Sequence, residues 1–214
     1  NWHSMKEGQS MTAHGEHYYT PQPQAPSRKL EFAHEFGGRT FRFITDTAVF
    51  SRTRLDRGTE LLLESLPLPL AGRVLDLGCG YGPVGVVVAA FSPAAEVVMV
   101  DINKRAVALA WENLERNGVE GTRISLRAGD GTALLTSPAF DYILTNPPIR
   151  AGKQLIFAWI AGARLALLPG GSLYLVARTS QGAKSLFGYM GQVFGTERVE
   201  VREKAGRTGI PITA

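Results

Sequence analysis

Apolar and polar residues recur along this chain in two periods, and the points where one period gives way to the other outline its elements. Runs at the strand period stand at Val74, Leu75 and Leu77, at Glu96 to Asp101, at Thr122 to Leu126, at Phe140 to Thr145 and at Ser172 to Ala177. Between them the period lengthens. The run Val84 to Val88 reads as a helix packed on a sheet. Ala106, Val107, Ala110 and Leu114 mark one face of a second helix, opened by Asn103 as its N-cap and closed by Asn117 and Gly118. Leu155, Ile156, Trp159, Ala163 and Leu167 mark a third, which Pro169-Gly170-Gly171 terminates. A further helix is expected near Gln181 to Val193, and two last strands at Thr196 to Arg202 and about Thr208 to Thr213.

Ahead of this series, the alternation of Phe41, Phe43 and Thr45 predicts a strand, and a second short one around Ala48 to Phe50 would complete a β-hairpin. Leu55, Thr59, Leu62, Leu63 and Leu66 predict a helix over Leu55 to Leu66, stopped by Pro67 and Pro69. Strands alternating with helices predict an α/β fold, a doubly wound and mostly parallel sheet with helices on both faces. Ligands of such sheets bind beyond the carboxyl ends of the strands. That rule gathers the glycine turn after Leu77, Asp101, Asp130 and Asn146 at one rim. Residues 1–29 are polar, with Pro21, Pro23 and Pro26 closely spaced, and are expected to form a disordered leader. Asn1 to Ser4 precede Met5 and read as residues added for expression, and 30–214 as a single domain.

A chain of 214 residues suits one domain with a sizeable core. Its formal charge of +4 and pI near 9.4 favour a polyanionic partner, nucleic acid ahead of an acidic small molecule. Cys79 is the single cysteine, so no intrachain disulfide can form, as suits a reducing cytosol. No apolar run approaches the roughly 20 residues of a membrane span, and no signal-peptide pattern opens the chain. A cytoplasmic protein without membrane contact is expected. His3, His14 and His17 have no metal-like spacing, and no metal site is expected.

The chemistry concentrates in Arg73 to Gly85, RVLDLGCGYGPVG, where a short buried strand runs through Gly78, Gly80 and Gly82 into a helix. The glycines let a ligand come close to the backbone, and the helix start offers unpaired N–H groups. Two cofactor readings compete. Gly80 to Gly85 satisfies G-x-G-x-x-G, in which a pyrophosphate rests on the helix N-terminus. Asp76, two residues before the first glycine, would repel a pyrophosphate and attract a cation. Asp-x-Gly-x-Gly at the end of a first strand resembles motif I of the class I S-adenosylmethionine methyltransferases. Asp101, at the end of the next strand, is placed to accept ribose hydroxyls in either case.

Asn146-Pro147-Pro148-Ile149 is the second signal. By itself it reads as a strand terminator, since neither proline can donate to a ladder. At the end of the fourth strand, behind that first strand, it resembles motif IV of amino-group methyltransferases. Many relatives carry Tyr or Phe after the second proline, where this chain has Ile149. The longer string NPPIRAGK, Asn146 to Lys153, resembles a small single-domain branch of the RsmC-like family, ribosomal RNA guanine-N2 methyltransferases of the small subunit. Phe43-Ile44-Thr45-Asp46, Val49-Phe50-Ser51, Leu55-Asp56-Arg57-Gly58-Thr59 and Gln181-Gly182-Ala183-Lys184-Ser185 extend the likeness, which covers roughly Leu30 to Arg202.

The resemblance implies a Rossmann-like seven-stranded sheet with an N-terminal hairpin and helix. It implies S-adenosylmethionine as cofactor, S-adenosylhomocysteine as product and the small ribosomal subunit or its RNA as partner. Gly78, Cys79, Gly80 and Gly82 would hold the cofactor closely, with Asp76 toward its amino-acid end. Asp101 would take the ribose hydroxyls, Ile102 pack on the adenine, and Gly129 and Asp130 meet its amino group; from the residues alone Asp130 reads as a turn or cap. Asn146, Pro147, Pro148 and Ile149 would handle the acceptor amine, and Asn146 would border the cofactor as well. Arg150, Lys153, Arg52, Arg54 and Arg57 would form a basic rim for RNA. Within enzymes the alternatives are adenine-N6 and protein glutamine methylation. Outside the class they are an NAD(P)-dependent oxidoreductase and a non-catalytic RNA-binding module.

Overall fold

The computed structural model describes residues 28–46, 54–119, 121–148, 152–178, 182–201 and 209–213. Of the leader expected over 1–29, residues up to 27 lie outside them, as does the strand expected at Ala48 to Phe50; Lys29 belongs instead to the first strand, level with Asp46. Nine strands and five helices follow in the described residues: β1 (Lys29–Phe36), β2 (Arg39–Asp46), α1 (Arg57–Ser65), β3 (Gly72–Leu77), α2 (Pro83–Phe91), β4 (Ala95–Asp101), α3 (Lys104–Arg116), β5 (Ile124–Ala128), β6 (Phe140–Thr145), α4 (Lys153–Ala166), β7 (Leu167–Arg178), α5 (Ala183–Phe194), β8 (Glu200–Val201) and β9 (Gly209–Thr213). Seven strands form one sheet in the order β5-β4-β3-β6-β7-β9-β8. β3 to β7 run parallel, and β9 lies antiparallel to both β7 and β8. The order reverses between β3 and β6, which is where a doubly wound sheet opens a crevice.

Alternation along the strands divides the core in two. Val74, Val97, Met99, Leu144, Tyr174 and Val176 face α1, α2, α3 and the hairpin, while Leu75, Leu77, Val98, Val100, Ile143, Leu173 and Leu175 face α4 and α5. Both faces of the central strands are covered, so their sequences read as continuous apolar runs. Asp76 interrupts that pattern.

The hairpin forms with a different partner from the one expected. β2 pairs antiparallel with β1, which precedes it, across Gly37 and Gly38. Two other expectations change. Leu167 ends α4 as its C-cap and pairs with Phe140 at the start of β7, so Pro169-Gly170-Gly171 falls within the strand span, beside a shift of register between Phe140 and Tyr142. The strand expected at Thr196 to Arg202 shrinks to Glu200–Val201 behind a 3-10 turn at Thr196–Arg198; Arg202 is outside the described residues. Short edge strands of this kind give little template for unwanted pairing.

α3 closes the free edge of β2 with two asparagines one turn apart. Ile44 N–H donates to Asn113 Oδ1 at 2.7 Å and Asn113 Nδ2 returns a bond to the Ile44 carbonyl at 2.8 Å. Asn117 repeats the exchange with Arg42, at 3.0 and 2.8 Å. Four helical residues rise about 6 Å and two strand residues about 6.6 Å, so the two repeats match. Asn113 is fully buried and also donates to the Tyr81 carbonyl at 2.8 Å, which ties the hairpin and α3 to the glycine turn. The Tyr81 ring lies edge-on to Phe43 and Phe32, with centroids 5.9 and 6.1 Å away.

Replacing Asn113 by leucine keeps the volume and strands three backbone groups, at about 1–3 kcal/mol each when buried. Urea denaturation should therefore show Asn113→Leu destabilised by about 3 kcal/mol or more. A loss below about 1 kcal/mol would mean that the asparagine pairs do not hold the hairpin in place.

Candidate functional site

The glycine turn follows β3 and is fixed from beneath by the neighbouring strand. The N–H groups of Gly78 and Cys79 both donate to the Val100 carbonyl at 2.9 Å, and Gly82 N–H donates to the Cys79 carbonyl at 2.9 Å. Gly80 has φ +57°, and a β-carbon there would meet nothing within 4 Å. The left-handed backbone disfavours a side chain, and the open space beside it is where a ligand can approach the main chain. Gly80 N–H donates to Asp101 Oδ2 at 2.8 Å, and Asn103 N–H to Asp101 Oδ1 at 2.8 Å. Gly129 N–H donates to the Asp101 carbonyl at 2.9 Å. The ends of β3, β4 and β5 thus converge as expected, with Ile102 half-buried just past β4.

Asp76 is 2 % exposed, and its Oδ2 accepts from Gly85 N–H at 2.9 Å. Gly85 lies in the first turn of α2, whose N-cap Gly82 offers no side chain, so Asp76 supplies the missing cap and sits favourably at the positive end of the helix. Burial nonetheless dominates. It pushes the carboxyl up to about 7, against the Gly85 hydrogen bond, with Asp101 adding to the rise. Burial likewise raises Asp101, against its bonds from Asn103 and Gly80. Cys79 is buried and its thiol is pushed well up, first by burial and then by Asp76 and Asp101, so it is a poor nucleophile and serves the turn through its backbone. Neither aspartate pairs with a lysine or arginine among the described residues. Two enclosed acids beside an open glycine turn fit a cofactor that brings positive charge.

β6 stands next to β3, with Leu144 level with Asp76. Beyond it, the buried Thr145 hydroxyl donates to the Leu77 carbonyl at 2.8 Å, joining the end of the acceptor strand to the start of the glycine turn. Asn146 comes next and is half-buried, followed by buried Pro147 and half-buried Pro148. Its Nδ2 donates to Asp56 Oδ2 at 2.8 Å and to Thr59 Oγ1 at 3.1 Å. Both hydrogens of the amide are thereby committed, and no described group donates to Oδ1.

Asp130 is exposed and its Oδ1 accepts from Thr132 N–H at 3.0 Å and the Thr132 hydroxyl at 2.8 Å, the work of a turn residue, with Oδ2 uncommitted among the described residues. Ile149, Arg150 and Arg52 lie outside the described residues. Arg54 is exposed, Arg57 pairs with Glu60 at 3.0 Å, and Lys153 opens α4 in solvent. Asp56 and Thr59 are the site residues that sequence reading passed over. The signal for Asp56 was a capping one: it accepts from Gly58 N–H and Thr59 N–H at the start of α1, at 2.9 and 3.2 Å. The described residues contain no group of three or more potential metal ligands and no helix long and apolar enough to cross a membrane.

The model of the methyltransferase small domain family matches residues 40–207. An uncharacterized protein of Bacillus subtilis, YbxB, is 36% identical over 191 residues, which are 88% of this chain and 94% of that one. The ribosomal RNA large subunit methyltransferase G of Streptomyces coelicolor is 36% identical over 167 residues, covering 74% of this chain and 44% of that protein. Among solved structures, the 16S ribosomal RNA N2 methyltransferase RsmC of T. thermophilus, in complex with AdoMet and guanosine, superposes with a TM-score of 0.75 at 28% identity. That match covers 90% of this chain and 52% of the other, so the chain spans about half the length of each of the two ribosomal RNA methyltransferases. The dinucleotide alternative falls with these findings. The chain belongs to the methyltransferase small domain family, among the S-adenosylmethionine-dependent methyltransferases of the class I fold.

Proposed function

We propose that this chain methylates an exocyclic amine of ribosomal RNA, guanine N2 of the small subunit. The observation that carries the reading is Asn146, an amide whose two hydrogens are taken by the protein and which stands as an acceptor next to the glycine turn. An amine on a base ring is a poor nucleophile because its lone pair is conjugated. When Asn146 Oδ1 and the Pro147 carbonyl accept its two hydrogens, the lone pair is free to point at the methyl donor. Pro147 and Pro148 stiffen these acceptors, so the contribution is preorganised position and dipole and no strong base is required.

S-adenosylmethionine supplies an electrophilic methyl group when bound. Gly78, Cys79, Gly80 and Gly82 would hold it along the backbone, and Asp101 would meet the ribose hydroxyls with the lone pairs that Gly80 and Asn103 leave over. Ile102 would pack on the adenine, and Gly129 with Asp130 would meet its amino group. Asp76 acts through its field, since Oδ2 is already held by Gly85. Once methylated, the nitrogen is cationic and releases its now acidic proton to water. Ile149 gives the base an apolar contact.

Guanine N2 cannot reach such a site while stacked, so the base is extruded or already unpaired. Arg52, Arg54, Arg57, Arg150 and Lys153 attract the phosphates around it. A cation at the first position of α4 opposes the helix dipole, so Lys153 is not there for the helix. The cytoplasm is the compartment this reading implies.

The likeness to the large-subunit enzyme of Streptomyces coelicolor supports a second reading, in which the same amine lies in large-subunit RNA. The test is to incubate the protein and labelled S-adenosylmethionine with unmodified ribosomal RNA of each subunit, free and as the particle, and to locate the modified nucleoside. Label on guanine N2 of small-subunit RNA is expected. Label confined to large-subunit RNA moves the assignment to the second reading, and label on adenine or on a protein overturns both.

A further inference from the structure

Asn146 can present an oxygen or a hydrogen to a ligand, and nothing in Asn-Pro-Pro itself decides which. An amide turned over by half a rotation would offer N–H to the incoming amine, donor against donor, and transfer would stop. The decision is made by residues about 90 positions earlier in the chain. A carboxylate oxygen accepts and never donates, so Asp56 Oδ2, 2.8 Å from Asn146, admits only the nitrogen of the amide on its side. Thr59 Oγ1 takes the second hydrogen at 3.1 Å. We infer that Asp56 and Thr59, at the start of α1, are positioning residues for methyl transfer, which lock the Asn146 amide as a pure hydrogen-bond acceptor; the inference rests on the proposed amine methylation and extends it.

The geometry gives each member a defined part. Three hydrogen bonds converge on one oxygen of the Asp56 carboxylate, from Gly58 N–H at 2.9 Å, Thr59 N–H at 3.2 Å and Asn146 Nδ2 at 2.8 Å. The helix cap and the amide lock are therefore a single atom, and the first turn of α1 is registered against the catalytic segment by it. Gly58 completes the arrangement by absence. A β-carbon there would lie 2.9 Å from Asp56 Oδ2 and 3.0 Å from Asn146 Oδ1, so a side chain would force the pair apart. Both atoms are ends of side chains that can swing away, which makes the intrusion tolerable for folding and harmful to alignment. A glycine in a first helical turn is otherwise a poor choice, about 1 kcal/mol worse than alanine in a helix interior.

The test is a double-mutant cycle between positions 56 and 146, read with labelled S-adenosylmethionine and unmodified small-subunit ribosomal RNA. Asp56→Ser still caps the helix but is one bond too short to reach the amide. It should lower kcat about tenfold or more while KM for RNA and the calorimetric affinity for S-adenosylhomocysteine stay within about twofold. Asp56→Asn, whose carbonyl oxygen can occupy the place of Oδ2, should recover most of that loss. Gly58→Ala should melt no lower than the wild type and still lose activity. Thr59→Val, isosteric and one turn into the helix, should lose a smaller share and keeps the question open to measurement if Asp56→Ser fails to fold.

In an Asn146→Ala background, Asp56→Ser should cost nothing further. A multiplicative loss there, or a change in KM or cofactor affinity with kcat intact, overturns the inference. A wild-type chain that leaves ribosomal RNA unlabelled overturns the substrate reading instead. Solvent exchange of the Asn146 side-chain amide protons then decides this one, protected in the wild type and released in Asp56→Ser if the lock exists, equally fast in both if it does not.

Discussion

Asn146→Ala is expected to lower methyl transfer about 100-fold or more, the scale on which removal of one preorganised polar contact acts in other enclosed sites. The loss should fall on kcat. Affinity for S-adenosylhomocysteine, measured by calorimetry, should stay within about threefold, because the glycine turn is held by Val100, Asp101 and Cys79 without help from Asn146. Stability should hold as well, to within about 1 kcal/mol, since Asp56 Oδ2 keeps its bonds from Gly58 and Thr59 when the amide is gone. Asn146→Asp sharpens the case. It preserves size and an accepting oxygen, yet turns an oxygen toward the Asp56 carboxylate where Nδ2 now donates, so activity should remain as low as in the alanine variant. Recovery of more than about a tenth of wild-type transfer by either variant would remove the acceptor role from Asn146.

How far such a site can be read in advance depends on how local its causes are. β6 was legible from end to end, Phe140 to Thr145, because Phe140, Tyr142, Ile143 and Leu144 crowd a short strand covered on both faces, with Asp141 the one charge among them. Asn103 and the Asn117-Gly118 stop bounded α3 for equally local reasons, and Asn103 Oδ1 does accept from Arg105 and Ala106 N–H. β1 was missed because half of its residues are exposed and its polar positions mask the alternation of Phe32 and Phe36, although Gly37-Gly38 ahead of Phe41 was a usable hairpin signal. Asn113 sits among Ala106, Leu109, Ala110 and Leu114 on the buried face of α3. A polar residue in that face is a sign of a buried hydrogen-bonding task, but its partners at Ile44 and Tyr81 are set by tertiary packing alone. The same holds for Asp56. Its role in capping is written in the neighbouring residues, whereas its contact with Asn146 exists only once β6 lies beside β3 and α1 folds back over the rim.

Asp76 joins these two levels, and the strongest pH dependence of the protein should follow from it. Its carboxyl titrates near 7 in the folded chain against 3.8 as an ordinary aspartate. Below 3.8 both folded and unfolded chains hold the proton and the full stability of the neutral form is present. As pH climbs toward 7 the unfolded chain gives the proton up while the folded one keeps it, so stability falls through that window and levels off above it. The whole fall is on the order of 4 kcal/mol as an upper bound, and Asp101, raised in the same direction, adds to it.

Replacing the acid by Asp76→Asn retains an oxygen for Gly85 N–H and removes the charge. The cofactor-free variant should therefore be more stable than the wild type at pH near 8, by up to about 4 kcal/mol, and no more stable at pH near 4. A group that weakens the empty fold at working pH has to be useful when the site is filled. A cationic cofactor draws the pKa of Asp76 down, so binding of S-adenosylmethionine by the wild type should tighten as pH rises toward 7, and Asp76→Asn should bind at least about tenfold more weakly with a pH slope shallower by one proton. Calorimetry of the two proteins across that range, beside denaturation curves of the empty forms, separates the two effects. A variant that gains stability at alkaline pH but binds the cofactor as tightly as the wild type would leave Asp76 as a cap for α2 and nothing more.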